Sequence, residues 1–327
     1  MESRQIFARF DGKGGEPALS RFCDDLLAEQ IDSWPRLRKG YQALKAAKIR
    51  AVSCPGFTLK VQWNPQRIVS TAARLDPASI CARPCFLCRD NLPDAQRAIR
   101  YRQDYLVLCN PAPIFPRHYT ISHIHHRPQS IEPVLDAFLM LIRDYSPDFT
   151  VFYNGPQSGA SAPDHLHFQA APAGTMPVET DIRMKGKLRL LKVFEGVDIF
   201  RSVGLGRAIL MVKGARQDCV ASALLKVIAA MREVFHAAGE PMMNLLGSYE
   251  EERWMILIFP RRKHRPSVFN LKGDAQILIT PASVEMGGLF ITPIEKDYHI
   301  LDAGLVQTIF QDVSVDEKTT SRLVDVL

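Results

Sequence analysis

The sequence predicts an α+β fold made of two duplicated units in one chain of 327 residues, each an antiparallel sheet with a helix laid on it. Three observations carry this reading. Stretches of period-two alternation flank two stretches of helical spacing; the order strand, helix, strand, turn, strand occurs twice; and the two passages lie about 90 residues apart.

Taken in order, residues 17–48 read as two amphipathic helices separated at Pro35, since proline opens a helix well but interrupts one in progress. "GFTLKVQWNP", from Gly56, alternates like a strand, and an irregular, cysteine-bearing section spans residues 76–98. The first unit then follows. "DYLVLCNP" and "RHYTISH" are short strands, "IEPVLDAFLMLIRDY" keeps its apolar residues on one helical face, and "DFTVFYN" and "HLHFQAAP" are strands again. The second unit repeats the order with "GRAILMVKG", the helix "DCVASALLKVIAAMREVFHAAG", and "PMMNLLGSYEEERWMILIFP" as two strands joined by a polar turn. Asn154 and Asn244 are placed alike in the two copies, at the end of the strand after the helix. "ILITPASVEMGGLFITPIEKDYHIL" reads as further strand, followed by a short helix over 303–310 and a polar tail. The domain division expected is an N-terminal helical segment over 1–50, a catalytic unit over 51–180, and a second, degenerate unit with C-terminal strands over 181–327.

Composition narrows the function. A net charge of +6, from 41 basic and 35 acidic residues, is too mild and dispersed for duplex nucleic acid but suits a small phosphorylated substrate. No apolar run reaches the length of a membrane span and the N-terminus lacks a leader pattern, so a cytoplasmic protein is expected, with no membrane partner. Seven cysteines, an odd number, favour reduced thiols or a metal site over a disulfide framework. The basic run "PRRKHRP" reads as a solvated loop, with a phosphate-facing edge as the other reading.

The richest segment is "NGPQSGASAPDHLHFQ", Asn154 to Gln169. On a strand, His165, His167 and Gln169 share one face. The preceding turn offers Gly155 and Gly159 for close backbone approach and Ser158 and Ser161 as hydroxyl donors, a cradle for an anion. A neutral imidazole beside it could attack phosphorus. The plainer reading is a pair of half-buried histidines beside an ordinary loop.

"CARPCFLCRDN" holds Cys85 and Cys88 in Cys-x-x-Cys spacing, with Cys81 four residues earlier. Such a pair serves redox chemistry or half a metal site. Zinc takes four ligands, and the most economical set is Cys85, Cys88, His118 and His165, with His123, His125 and His126 as rivals to His118. Arg67, after an Asn-Pro turn, is a candidate phosphate clamp because guanidinium matches phosphate as a planar fork; Arg74 follows seven residues on.

Together "CFLCRDN", "NPQR", the "NG" turn with "SGAS", and His-x-His-x-Gln resemble the galactose-1-phosphate uridylyltransferase branch of the histidine-triad superfamily, over about Phe57 to Tyr298. That branch includes diadenosine tetraphosphate phosphorylases and GDP-L-galactose phosphorylase, and "PASVEMGGLFITPIEKDY" looks most like the latter. The resemblance implies a fold of two histidine-triad-like units. It implies His167 as nucleophile forming a nucleotidyl-histidine intermediate. Gln169 and Ser161 would hold α-phosphate oxygens, Asn154 and Gly159 would line the phosphate turn, and Arg67 would face the phosphates from the other side. Cys85, Cys88, His118 and His165 fall where zinc-bearing relatives place their ligands, and relatives are often homodimers. Leu166, where uridylyltransferases typically have proline, leans towards the phosphorylases; the paired cysteines lean back towards the uridylyltransferases.

The leading expectation is a nucleotidyltransferase acting as a nucleotide-sugar phosphorylase of the GDP-hexose type, with phosphate as acceptor. Hexose-1-phosphate uridylyl transfer to a sugar phosphate comes second, and cleavage of a dinucleoside polyphosphate third. A catalytically inactive nucleotide-binding module of the same fold is the alternative outside enzymes, and a redox role for Cys85 and Cys88 is a distant one.

Overall fold

The alternation read in both halves is realised as one eleven-stranded sheet running through the whole chain. The computed structural model describes residues 5–16, 18–68 and 77–327. The first half contributes β1 (Ile6–Phe10), then β4 (Ala98–Tyr101), β5 (Tyr105–Cys109), β6 (Tyr119–His123), β7 (Phe149–Asn154) and β8 (His167–Pro172). The second contributes β9 (Leu188–Phe194), β10 (Val197–Ser202), β11 (Leu210–Gly214), β12 (Met243–Glu250) and β13 (Arg253–Pro260). A separate sheet is formed by β2 (Lys48–Cys54), β3 (Phe57–Trp63) and β14 (Leu289–Thr292), in the order β14-β3-β2.

The duplication is visible in the strand order. Outward from the middle, one half runs β7-β8-β6-β5-β4 and the other β12-β13-β11-β10-β9, so strands in the same chain position occupy the same place in each. In each half the helix falls between the third and fourth strands, at Leu135–Tyr145 and Gln217–Phe235. The halves join where β7 pairs antiparallel with β12, with Asn154 directly opposite Asn244. β1 adds to the outer edge, parallel to β4.

Burial divides the sheet into two faces. Phe149, Val151 and Tyr153 of β7 and Phe168 and Ala170 of β8 pack under the Leu135–Tyr145 helix, while Phe152, Ala171, Leu246, Leu257 and Phe259 point the other way. That second face is covered by the smaller sheet, through Leu59, Val61 and Phe290, and by Ile309 and Phe310 of a C-terminal helix. Burying two such apolar faces is the main stabilising term for a chain of this length. Close approach is built in at Gly247, where a Cβ would lie 2.2 Å from Ile142 Cδ1, so the helix can settle directly on β12.

Several expectations are met. The two N-terminal helices, Leu19–Ser33 and Pro35–Lys45, break at Pro35. β12 and β13 are joined by the polar turn at Glu251 and Glu252, both at positive φ. Others need correction. Asn244 lies near the start of β12, not at its end, and so faces Asn154 across the seam. In the segment read as further strand, only β14 is strand; Ser283–Met286 and Glu295–Ile300 are helical. The C-terminal tail is the helix Glu317–Val326, opened by Asp316, whose side chain accepts the Thr319 N–H at 2.8 Å. β9 and β10 carried no clear alternation: β9 is an edge strand with no buried residue.

Candidate active site

β6, β8, β7 and β12 lie side by side and present His118, His167, Gln169, Asn154 and Asn244 on or beside the face away from the helices. Register places Ser122 opposite His167, Thr120 opposite Gln169, and Asn154 opposite Asn244. Alternation on β8 therefore does what the period-two reading requires: Phe168 turns into the core while His167 and Gln169 face the site.

His167 is 3% exposed and held on three sides. Gln129 accepts its N–H at 2.8 Å and donates to its carbonyl at 3.0 Å and to the carbonyl of Asn154 at 2.9 Å. The ring Nδ1 lies 2.8 Å from the carbonyl oxygen of His165. A carbonyl can only accept, so Nδ1 carries the proton and Nε2 keeps its lone pair. Burial pulls the imidazole down to about 4, the His165 carbonyl working weakly the other way. His167 is thus neutral near pH 7, with a bare ring nitrogen. Gln129, within "RPQS", belongs to no motif and was not singled out from the sequence.

Gln169 is oriented from behind. His118 Nδ1 accepts the Ile114 N–H at 3.2 Å, so its Nε2 carries the proton and donates to Gln169 Oε1 at 3.0 Å. The glutamine oxygen is consumed, and its NH2 is left as a donor. Burial, with Arg67 nearby, pulls His118 down to about 3. Both of its ring nitrogens are engaged within the chain, and His118 lies outside the cluster formed by Cys85, Cys88 and His165.

The histidine beside the thiols and His165 is instead His126. Cys85, Cys88, His126 and His165 bring their ligand atoms within 4.8 Å of one another. His165 Nδ1 lies 3.3 Å from Cys85 Sγ and 3.6 Å from Cys88 Sγ, and His126 Nδ1 lies 3.2 Å from Cys88 Sγ. The other ring nitrogen of His165 donates to the His123 carbonyl at 2.8 Å, while that of His126 lies 3.8 Å from Asp164. The carbonyl behind His165 turns that ring's lone pair towards the sulfurs, which is how histidine ligands are oriented, while Asp164 stands near His126 beyond hydrogen-bond distance. Two thiols and two imidazoles are the donor set of a closed tetrahedral site, so these residues fit a soft divalent cation. Burial and the adjacent Cys85 push the Cys88 thiol up to about 11, a shift that a bound cation would reverse. In "HIHHRP" three histidines in four residues compete, and sequence spacing could not choose among them.

The turn from Asn154 to Ser161 runs beside His167. Gly155 is required because a Cβ would lie 2.8 Å from the Met243 carbonyl, and Gly159, at φ +92°, would place one 2.6 Å from Ala282. The glycines thus admit the second half of the chain as well as any ligand. Ser158 is buried and its hydroxyl has no partner among the described residues, whereas Ser161 is exposed and its carbonyl accepts from Arg83 at 3.0 Å. Arg67 donates to the Ala112 carbonyl at 2.6 Å, and its Nε meets no acceptor among the described residues. Ser122 Oγ, opposite His167 in register, is also buried without a partner among them. Buried polar atoms are rarely left unpaired, so this group calls for water or a ligand. Arg74 lies outside the described residues. "PRRKHRP" is not uniformly solvated: Arg261 is among the most deeply buried side chains, although Arg262 and Lys263 are exposed. A cavity of about 550 Å³ between the 201–209 loop and the C-terminal helices contains none of these site residues. Among the described residues, no helix is long and apolar enough to cross a membrane.

Residues 26–172 match the family described as Domain of unknown function (DUF4922). No curated protein matches the sequence. Among solved structures, the chain is similar to yeast Ap4A phosphorylase Apa2, at 17% identity over 85% of this chain and 93% of that one, with a TM-score of 0.54. The same enzyme in complex with AMP matches at 17% identity, 89% and 96% coverage and a TM-score of 0.59. Its complex with Ap4A matches at 16%, 86% and 97%, with a TM-score of 0.54. At these identities the likeness establishes a shared fold over nearly the whole length of both chains.

Proposed function

We propose that this chain is a nucleotidyltransferase of the phosphorylase type, with His167 as the nucleophile. The observation that carries the reading is the bond from His167 Nδ1 to the His165 carbonyl, which leaves a neutral, buried Nε2 on a residue that Gln129 ties to Asn154, where the glycine and serine turn begins. Nε2 attacks the α-phosphorus of a nucleoside diphosphate derivative, and the bond from that phosphorus to the bridging oxygen breaks. The distal phosphorylated fragment leaves with the bridging oxygen, and a nucleotidyl-histidine remains. Inorganic phosphate then attacks the same phosphorus, restores the imidazole and departs as nucleoside diphosphate. Two displacements at a positioned centre are each easier than one at a free centre.

Gln169 directs its NH2 at a non-bridging oxygen, since His118 holds its carbonyl. Ser161 and Ser158 supply hydroxyls, Gly155, Gly159 and Asn154 shape the turn, and Arg67 meets the phosphates with its unpaired Nε. These are fixed donors aimed at developing negative charge. We read the ion held by Cys85, Cys88, His126 and His165 as a structural zinc. When bound, it stiffens the segment whose carbonyl at His165 orients His167, and a closed four-ligand site offers substrate no position.

For the donor, the likeness of "PASVEMGGLFITPIEKDY" to the GDP-hexose enzyme favours a nucleotide sugar. A dinucleoside polyphosphate is the second reading, favoured by fold neighbours solved with AMP and with Ap4A. Intact-protein mass spectrometry in acid-sparing conditions, after exposure to GDP, UDP and ADP sugars and to diadenosine tetraphosphate, decides. A gain of one nucleoside monophosphate, lost in His167→Ala, is expected and names the base. Binding without any adduct would mean an inactive binding module.

A further inference from the structure

We infer that Arg261 and Asn244, both from the second half of the chain, are positioning residues for the phosphate turn of the first, and act by fixing which end of the Asn154 amide faces the substrate. This deepens the proposed function and rests on its reading of that turn as a phosphate site.

Arg261 follows β13 directly and is 1% exposed. Its five N–H donors all find acceptors. Nε meets the Val313 carbonyl at 3.3 Å; Nη1 meets Asn244 Oδ1 at 2.6 Å and the Pro281 carbonyl at 2.8 Å; Nη2 meets the carbonyls of Lys263 and His264 at 3.0 and 3.1 Å. Among the described residues, no carboxylate lies within ion-pair distance of it. The buried carboxyl of Glu285 acts on it only from beyond that distance, so every directed contact of Arg261 is a hydrogen bond to a neutral acceptor, which points to a role in orientation.

What it orients is an amide. With a guanidinium on its oxygen, Asn244 must present its NH2 to the other side, where Nδ2 donates to Asn154 Oδ1 at 2.9 Å and to the Ser158 carbonyl at 2.6 Å. Asn154 Oδ1 also accepts from Ser283 N at 2.8 Å and Ser283 Oγ at 2.7 Å. Asn244 Nδ2 and the Ser283 N–H therefore hold the Asn154 oxygen, with the single proton of the Ser283 hydroxyl shared between it and the Tyr153 carbonyl at 2.8 Å, and Asn154 Nδ2 is turned away with no acceptor among the described residues. Phosphate oxygens only accept, so the end presented decides between attraction and repulsion. Gln169 repeats the device with His118 as its anchor. The second half has no histidine pair, yet it sets the polarity of the first half's turn.

The test is Asn244→Asp. The replacement is isosteric and keeps an acceptor for Arg261, but a carboxylate cannot donate to Asn154 or Ser158. Affinity for inorganic phosphate and for AMP and GMP is measured by calorimetry on the full chain, with thermal melting alongside. The expectation is a cooperative transition whose melting temperature falls by several degrees, and affinity at least tenfold weaker, as for loss of a hydrogen bond to a charged group. Affinity equal to wild type overturns the positioning role. Ser283→Ala, which removes the shared hydroxyl while leaving the backbone N–H, serves if Asn244→Asp does not fold. It should weaken binding severalfold, and unchanged affinity again overturns the role. Wild-type protein that binds none of the probes overturns the phosphate reading of the turn, and the positioning role with it; wild-type binding matched by the variants overturns the positioning role alone.

Discussion

The Nδ1 nitrogen of His167 lies 2.8 Å from the carbonyl oxygen of His165, and the side chain of His165 lies against Cys85 and Cys88. One residue thus joins the thiol cluster to the proposed nucleophile: its imidazole faces the thiols and its backbone carbonyl holds the His167 ring.

Replacing His167 with Ala should abolish adduct formation and lower turnover by at least about three orders of magnitude, because a covalent route has no substitute for its nucleophile. The fold should persist with a modest drop in melting temperature, since among the described residues the ring makes one hydrogen bond but its removal leaves a buried cavity. Single-turnover kinetics with a radiolabelled donor measures this, and turnover near that of wild type would remove His167 from the mechanism.

His118→Ala separates the two roles considered for that residue. It should lower kcat by about ten- to a hundredfold by freeing Gln169, and destabilise by about 1–3 kcal/mol through the unpaired Ile114 N–H and Gln169 oxygen. Metal content should stay at the wild-type level. A loss of bound metal in this variant would reinstate His118 as a ligand.

His126→Ala and Cys88→Ser should instead lower the metal content measured by elemental analysis, and the melting temperature with it. Chelation of the wild type should cause a similar loss of stability, with activity falling as the pocket loosens. Wild-type protein purified without metal, showing a reversible Cys85–Cys88 disulfide, would favour the redox reading.

Stability should also depend on pH through Glu240. Burial raises its carboxyl from 4.5 to about 7, while the Ile131 N–H and the Tyr153 hydroxyl, both 2.7 Å from its oxygens, act the other way. A carboxyl raised in the folded state contributes stability that is fully present below its unfolded value and lost as pH rises through its folded value. Between pH 4.5 and 7, wild type should therefore lose on the order of 2–3 kcal/mol from this group. Glu240→Gln, whose amide can still accept from Ile131 and donate to Tyr153, should flatten that dependence. Parallel slopes for the two proteins in urea unfolding would assign the effect elsewhere.

Local order was legible in the sequence wherever a periodic pattern met a strong boundary. The break at Pro35, the two sheet-covering helices, and the shared face of His167 and Gln169 all follow from spacing and side-chain direction. Strands without alternation were missed for a physical reason. β9 is an edge strand that buries no residue, and β4 spans four residues, so neither carries a pattern long enough to read.

The sequence by itself determined the duplicated α+β plan, the Cys-x-x-Cys pair, and the turn leading into His-x-His-x-Gln, because each depends on residues close together in the chain. Only the tertiary structure decided which histidine joins the cysteines, what stands behind each amide, and how the second half serves the first. His126 reaches Cys88 from 38 residues away, His118 reaches Gln169 from 51, and Asn244 reaches Asn154 from 90. Such pairings are set by strand register across the sheet and by loop paths over it, and hydrogen-bond direction is then dictated by what each polar group meets once water is excluded.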